Sequence, residues 1–170
     1  MTGTPRLLAA ACAFALFPAA LPAGGKKDEP AMTVSFHLQT TPDPSEQRTF
    51  TQSTAGEMIV YRRAPEIATP DIEAFAPFPA DDGQTYGVVF QLDKVAARRL
   101  ASISAANQGK LLLAVVNGQV RDAVLIDRSV NDGLLVVWKW ITLPEIRLAD
   151  AMLPRIGEDP ETWKKRQKAK

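Results

Sequence analysis

The sequence predicts an α+β fold, a mainly antiparallel sheet with two helices on one face, preceded by an N-terminal β extension. Three observations lead there. From Tyr86 onward the apolar pattern changes from strand period to helix period and back, giving strand, helix, three strands and helix. Asn117-Gly118 separates two apolar runs by two residues, the strongest short hairpin signal available. Upstream, "MTVSFHLQT" (32–40) alternates, with Val34, Phe36 and Leu38 on one face and Ser35, His37 and Gln39 on the other.

Residues 1–23 read as a signal peptide. Arg6 supplies a positive start, Leu7 to Ala23 is apolar and small-residue-rich, and Leu21 and Ala23 fit a signal-peptidase site before Gly24. The run is broken by Pro18 and Pro22 and lacks the length and flanking charge of a spanning helix. Cys12, the only cysteine, is a poor lipidation site because the apolar stretch ahead of it is only Leu7 to Ala11. After cleavage the chain would hold no cysteine, hence no disulfide or thiol chemistry. The expected location is exported, periplasmic or secreted, with no transmembrane helix once the signal is removed.

Residues 24–31 read as a flexible leader and 32–85 as the β extension. Within it, "TPDPSEQ" (41–47) is a Pro-rich loop and "GEMIVYRR" (56–63) a second strand. "ATPDIEAF" (68–75) predicts one or two helical turns, with Thr69 as N-cap and Pro70 at the first helical position. "PADDGQ" (79–84) is a turn.

Residues 86–157 form the predicted core. "YGVVFQL" is a strand with Val88, Phe90 and Leu92 on one face. Asp93 caps a helix whose apolar stripe is Ala96, Leu100 and Ile103, and Gly109 stops it. "KLLLAVV" (110–116) and "QVRDAVLID" flank the hairpin turn, and Asn131-Asp132-Gly133 turns the chain into "LLVVWKWIT" (134–142). Thr142 with Glu145 makes a capping box for the last helix, "LPEIRLADAML". Residues 158–170 read as a basic, disordered tail.

Charge narrows the partners. Setting aside Arg6 and the five cations of the last seven residues leaves 14 basic against 19 acidic residues over 24–163, a net charge of −5. An acidic body argues against nucleic acid, and the basic tail offers at most a weak contact with an anionic surface. The expected partner is a protein or peptide.

The stretch 134–142 poses the functional question. Leu135, Val137 and Ile141 suffice for a buried face, while Trp138 and Trp140 point to the other side with Val136. Either the strands 32–40 and 57–63 cover that face, or it is an open apolar platform for a partner. Two exposed tryptophans would forgo several kcal/mol of burial (roughly 150–250 Å² each), which favours cover. Trp138, nearer the strand centre, is then expected in the core. Trp140, beside Thr142, is expected partly exposed and the better contact residue.

Residues 57–157 resemble the head of the first periplasmic domain of SecD, an accessory subunit of the bacterial Sec export machinery. The resemblance rests on "APEIATPDIEAF" and "GVVFQLDKVAARRLASISAANQGKLLLAVVNGQV", on Ser104, Asn107, Gly109 and Lys110 after the first helix, and on Asn117-Gly118, Gly133 and "ITLPEIRLADAML". It covers about three-fifths of the chain, and its motifs are structural. It implies an α+β head and a surface that contacts unfolded export substrate. SecD's proton-driven membrane helices have no counterpart in this sequence.

Chemistry is sparse. His37 is the single histidine, on the polar face of a strand, and no G-x-S-x-G is present. Asp122, Asp127 and Asp132 lack the frame of a calcium loop, and no spacing suits zinc. Asn107 and Lys110 read as a helix end rather than ligands. The expectation is no catalysis, no metal and no cofactor, with a small carboxylate-using hydrolase or an oligomerising domain as alternatives. Processing is testable: intact mass of the protein recovered from an exporting cell is expected to match a chain starting at Gly24, and a start near Met1 or a lipid on Cys12 would refute it.

Overall fold

Why β1 (Val34–Leu38) is a strand follows from its alternation: Val34, Phe36 and Leu38 are buried and the residues between them half-exposed. The structure is a computed structural model describing residues 31–42 and 48–169. The segment 1–23 expected to be a signal peptide, the expected leader to residue 30 and residues 43–47 lie outside them. The fold is α+β with mainly antiparallel sheets.

β1 is an inner strand of a four-stranded sheet ordered β4-β1-β7-β8, with β4 (Ile67–Ala68), β7 (Leu111–Val116) and β8 (Gln119–Leu125). A second sheet, β5-β6-β9, comprises β5 (Ile72–Pro79), β6 (Tyr86–Leu92) and β9 (Leu134–Ile141). β2 (Thr49–Thr54) and β3 (Glu57–Arg62) form a separate hairpin, stitched to β1 by the Gln39–Tyr61 bridge. Tyr61 is buried beneath it; burial raises its hydroxyl pKa, partly offset by the 3.0 Å contact with Thr54 Oγ1.

One apolar core joins the two larger sheets. Phe36 of β1 meets Phe90 of β6 edge to face, centroids 6.3 Å apart. Leu112, Ala114, Leu135, Val137 and Ile141 pack into the same cluster.

The predicted core order holds. α1 (Lys94–Ala106) is capped by Asp93, whose Oδ1 accepts from the Val95 and Ala96 amides at 2.8 Å each. Its buried face is Ala96, Leu100 and Ser104. The Ser104 hydroxyl donates to Leu100 O at 2.7 Å and accepts from the Val130 amide at 2.9 Å, tying the β8–β9 loop to the helix. Asn107 and Lys110 are structural: Asn107 Nδ2 donates to Ile103 O, and Lys110 Nζ donates to Asn107 Oδ1. Asn117 and Gly118 both have positive φ (51° and 73°), the requirement of a two-residue hairpin turn.

α2 (Leu143–Met152) starts at the expected capping box and adds a buried hub. Glu145, 7% exposed, accepts from the Thr142 amide and hydroxyl through Oε2 at 2.9 Å. Its Oε1 accepts from Arg121 Nη2 at 2.6 Å and Asn117 Nδ2 at 3.2 Å. Helix, β8 and the β7–β8 turn thus share one carboxylate. Desolvation pushes its pKa up, but the Thr142 and Arg121 hydrogen bonds and the Arg121 charge outweigh it, leaving the carboxyl below its ordinary range.

Two expectations fail. Residues 68–75 do not form a helix beyond a single 3-10 turn, Thr69–Asp71. Ile72 onward pairs with β6 instead, and the Thr69 hydroxyl, rather than capping a helix, bonds the Val34 amide and carbonyl at 2.7 and 3.1 Å. The tail expected to be disordered contains α3 (Pro160–Lys168), capped by Asp159 and docked through Trp163 Nε1 and Gln167 Nε2 onto Asp150 O. Two of its cations are already paired, Lys164 with Glu161 and Arg166 with Glu158.

Removing Glu145 tests the hub. Glu145→Ala leaves the half-buried Arg121 without its carboxylate and the start of α2 without its cap, and is expected to cost about 2–3 kcal/mol in urea unfolding. Because the folded pKa is depressed, the ionised-Glu145 contribution is full above the unfolded value near ~4.3 and is lost as pH falls through the folded one. The stability gap between wild type and Glu145→Gln is therefore expected to be flat above about pH 5.5 and to close below about pH 4; a gap that widens on acidification would contradict the hub.

Candidate functional site

β9 follows β6 residue for residue only part of the way. Gln91, Phe90, Val89 and Val88 oppose Leu134, Leu135, Val136 and Val137, and the next pair is Tyr86 with Ile141. Trp138, Lys139 and Trp140 therefore stand opposite Gly87 alone and bulge from the ladder. Trp140 lies at φ 67°, a left-handed conformation that a bulky side chain rarely adopts and that needs outside support.

That support is side-chain oxygen in place of strand carbonyls. Asp122 of β8 accepts the Trp138 amide through Oδ2 at 2.9 Å and the Ala123 amide through Oδ1 at 2.8 Å. One carboxylate thus joins the outer strands of the two sheets. The Trp140 amide donates to Thr85 Oγ1 at 3.0 Å, and the Thr85 hydroxyl donates to Asp82 Oδ2. Asp82 Oδ1 accepts the Thr85 and Gln84 amides at 2.7 and 2.9 Å. The Thr85 hydroxyl, then the Thr85 and Gln84 amides, lower the Asp82 pKa, so this exposed turn holds its charge in mild acid.

The rings are displayed by close packing. The Phe78 ring sits where a Cβ on Gly87 would be, and that Cβ would also lie 2.7 Å from Trp138 O. Phe78 in turn meets Trp138 edge to face at 6.0 Å and 73°. Lys139 lines the same space as this pair, and its Nζ lies 4.7 Å from the Trp140 ring.

Trp138 separates two depressions. The larger, 750 Å3, runs between β8 at Val124 and Leu125 and β9 at Leu134 and Val136, with Leu100 and Leu112 among its lining. The smaller, 640 Å3, is walled by Phe78 and Trp138 and edged by Asp81, Asp82 and Asp122. Trp140 lines a third, of 330 Å3, against Arg121 and the β2–β3 turn at Ser53–Ala55.

The expected cover is absent. Trp138, expected in the core, is 58% exposed, with Leu125 at 55% on the rim of the same groove, while Trp140, expected partly exposed, is 49% exposed. The N-terminal strands are elsewhere because β1 completes the edge of β7 with five register pairs, satisfying backbone as well as apolar side chains. Nor do the three candidates share one platform. Val136 and Trp138 line the groove, while the bulge sends Trp140 to the neighbouring depression. The sequence signals nothing for Phe78 and offers Asp122 only as a carboxylate without a calcium-loop frame; strand register brings both to the tryptophans.

Ser35 Oγ lies 2.9 Å from His37 Nε2, and His37 Nδ1 2.9 Å from Arg62 O. The two residues stand two apart on β1 and so share one face of the strand. The imidazole packs edge-on to Phe50, and neither residue lines any of the three depressions. Among the described residues no group of three His, Cys, Asp or Glu side chains could hold a metal ion. Among them, too, no helix is long and apolar enough to cross a membrane.

No protein-family model matches the sequence, and no curated protein does. Among solved structures the chain is similar to SecDF, a membrane component described as enhancing protein export, with a TM-score of 0.50 and 14% identity over 70% of this chain and 60% of that one. A crystal structure of SecDF in a super-membrane-facing form gives a TM-score of 0.49 at 16% identity, over 69% of this chain and 18% of that one. The chain thus spans three-fifths or less of either. At such identity the likeness is one of fold, and the fold is SecD-like.

Two substitutions test the exposed bulge. Trp138→Ala is expected to cost under about 1 kcal/mol in urea unfolding, against about 3–5 kcal/mol for a buried tryptophan. Gly87→Ala, which drives Phe78 aside, is expected to cost more than Trp138→Ala, about 1–3 kcal/mol. The reverse order would place Trp138 in the core.

Proposed function

We propose that this chain is a non-catalytic binding module of the cell envelope, built like a SecD periplasmic head, that takes an extended apolar segment of a protein at the β8–β9 groove. One observation carries the reading: Trp138 and Leu125 are left in water beside a groove bounded by two strand edges, on a bulge that Asp122 and Thr85 hold open. Exposed aromatics on a strained, side-chain-braced backbone are unfavourable for folding alone and suit recognition. The end strands β8 and β9 offer backbone groups that an extended partner can use.

The described role of SecDF in enhancing protein export supports a link to exported chains, and the amino-terminal signal-like segment supports an envelope location. The test is fluorescence anisotropy with a dye-labelled, permanently unfolded protein such as reduced, carboxymethylated α-lactalbumin. Wild type is expected to bind it, and Trp138→Ala to weaken binding by about tenfold or more. No binding by wild type, or equal binding by the variant, would overturn the proposal.

A further inference from the structure

The groove and the aromatic pocket beside it carry more charge than an apolar binding site needs. Five carboxylates line the two together, those of Asp81, Asp82, Asp122, Asp127 and Asp132, against two cations, Arg128 and Lys139. In the pocket itself three of these carboxylates face a single cation, Lys139, whose ammonium also lies 4.7 Å from the Trp140 ring. What remains between Phe78 and Trp138 is a 640 Å3 space with aromatic walls and an anionic rim. That combination suits a long aliphatic stem ending in a cation: the stem packs on the rings, and the charge meets ring faces and carboxylates.

We infer that the partner segment is apolar and extended but carries a lysine or arginine, whose side chain enters the Phe78–Trp138 pocket while its apolar neighbours lie along the β8–β9 groove. This rests on the binding reading above and names its ligand class. Trp138 borders both spaces, so a residue in the pocket and residues in the groove belong to one continuous strand. A second copy of the chain is a poor occupant, since two such grooves would bring like charges together. The chain's own basic helix α3 is docked on Asp150 of α2.

The experiment measures anisotropy of three dye-labelled nonapeptides, alternating valine and serine around a central lysine, norleucine or glutamate, with the full chain. The lysine peptide is expected to bind about tenfold more tightly than the norleucine peptide. The glutamate peptide is expected to be weakest. Asp81→Asn removes an exposed carboxylate from the pocket edge that takes no part in holding the bulge, and is expected to shrink the preference for lysine over norleucine. Equal binding of lysine and norleucine peptides would overturn the cation inference and leave the apolar groove standing. Failure of all three would remove both readings. Sedimentation of the unliganded chain as a dimer that the lysine peptide dissociates would make a second copy the occupant and refute a foreign one.

Discussion

The Asp122 carboxylate is where the two sheets are joined at their outer strands. β8 ends one sheet and β9 ends the other, and beside Trp138 they meet through this side chain rather than a backbone ladder. A continuous ladder would satisfy more backbone groups and close the space between them. Beyond Asp122 the groove opens over the core between Val124 and Leu125 of β8 and Leu134 and Val136 of β9. Glu145 performs a related task one layer deeper, holding β8 and the β7–β8 turn to the start of α2. The exposed face is therefore mounted on carboxylate supports, the deeper of which, Glu145, is buried and paired with Arg121.

From that constraint the display of the aromatics follows. With Asp122 holding the Trp138 amide and Thr85 that of Trp140, three residues of β9 stand opposite Gly87, and only a residue without Cβ leaves room for Phe78 there. The pocket's acidity comes from the same parts: Asp122 and Asp82 are both structural acceptors and the charge at its edge. A fold likeness at 14% identity says nothing about these side chains, so the binding surface has to be argued from this chain alone.

Much of the architecture was legible because local signals agreed with the tertiary outcome. Asp93, Thr142 with Glu145, and Asn117-Gly118 each specify backbone geometry through their own side chains. Alternation put Leu135, Val137 and Ile141 in the core. Two of the failures are places where non-local pairing decided. Thr69-Pro70 is a sound helix start, but Ile72–Pro79 gains a full strand partner in β6, and the turn stops after three residues. The cover over Trp138 was argued from the cost of exposing indole, and it lost to the free edge of β7, which β1 completes. Asp159-Pro160 and Thr162 did signal α3; the run of cations after them hid a cap that the Asp159 carboxylate makes with Thr162 at 2.8 and 3.0 Å. A bulge with a left-handed tryptophan has no sequence signature, since it depends on which residue of β6 stands opposite.

The central claim is that the open β8–β9 seam, and not another face, receives an unfolded chain. Three tryptophans report on it in one spectrum: Trp138 at the groove, Trp140 on the adjoining depression, and Trp163 on α3. Selective 15N labelling of the indoles and titration with an unfolded polypeptide is the direct measurement. The account requires the Trp138 Nε1–H resonance to shift in proportion to binding, Trp140 to shift less, and Trp163 to stay in place. A Trp138 signal that does not move while the polypeptide binds would show that the partner sits elsewhere.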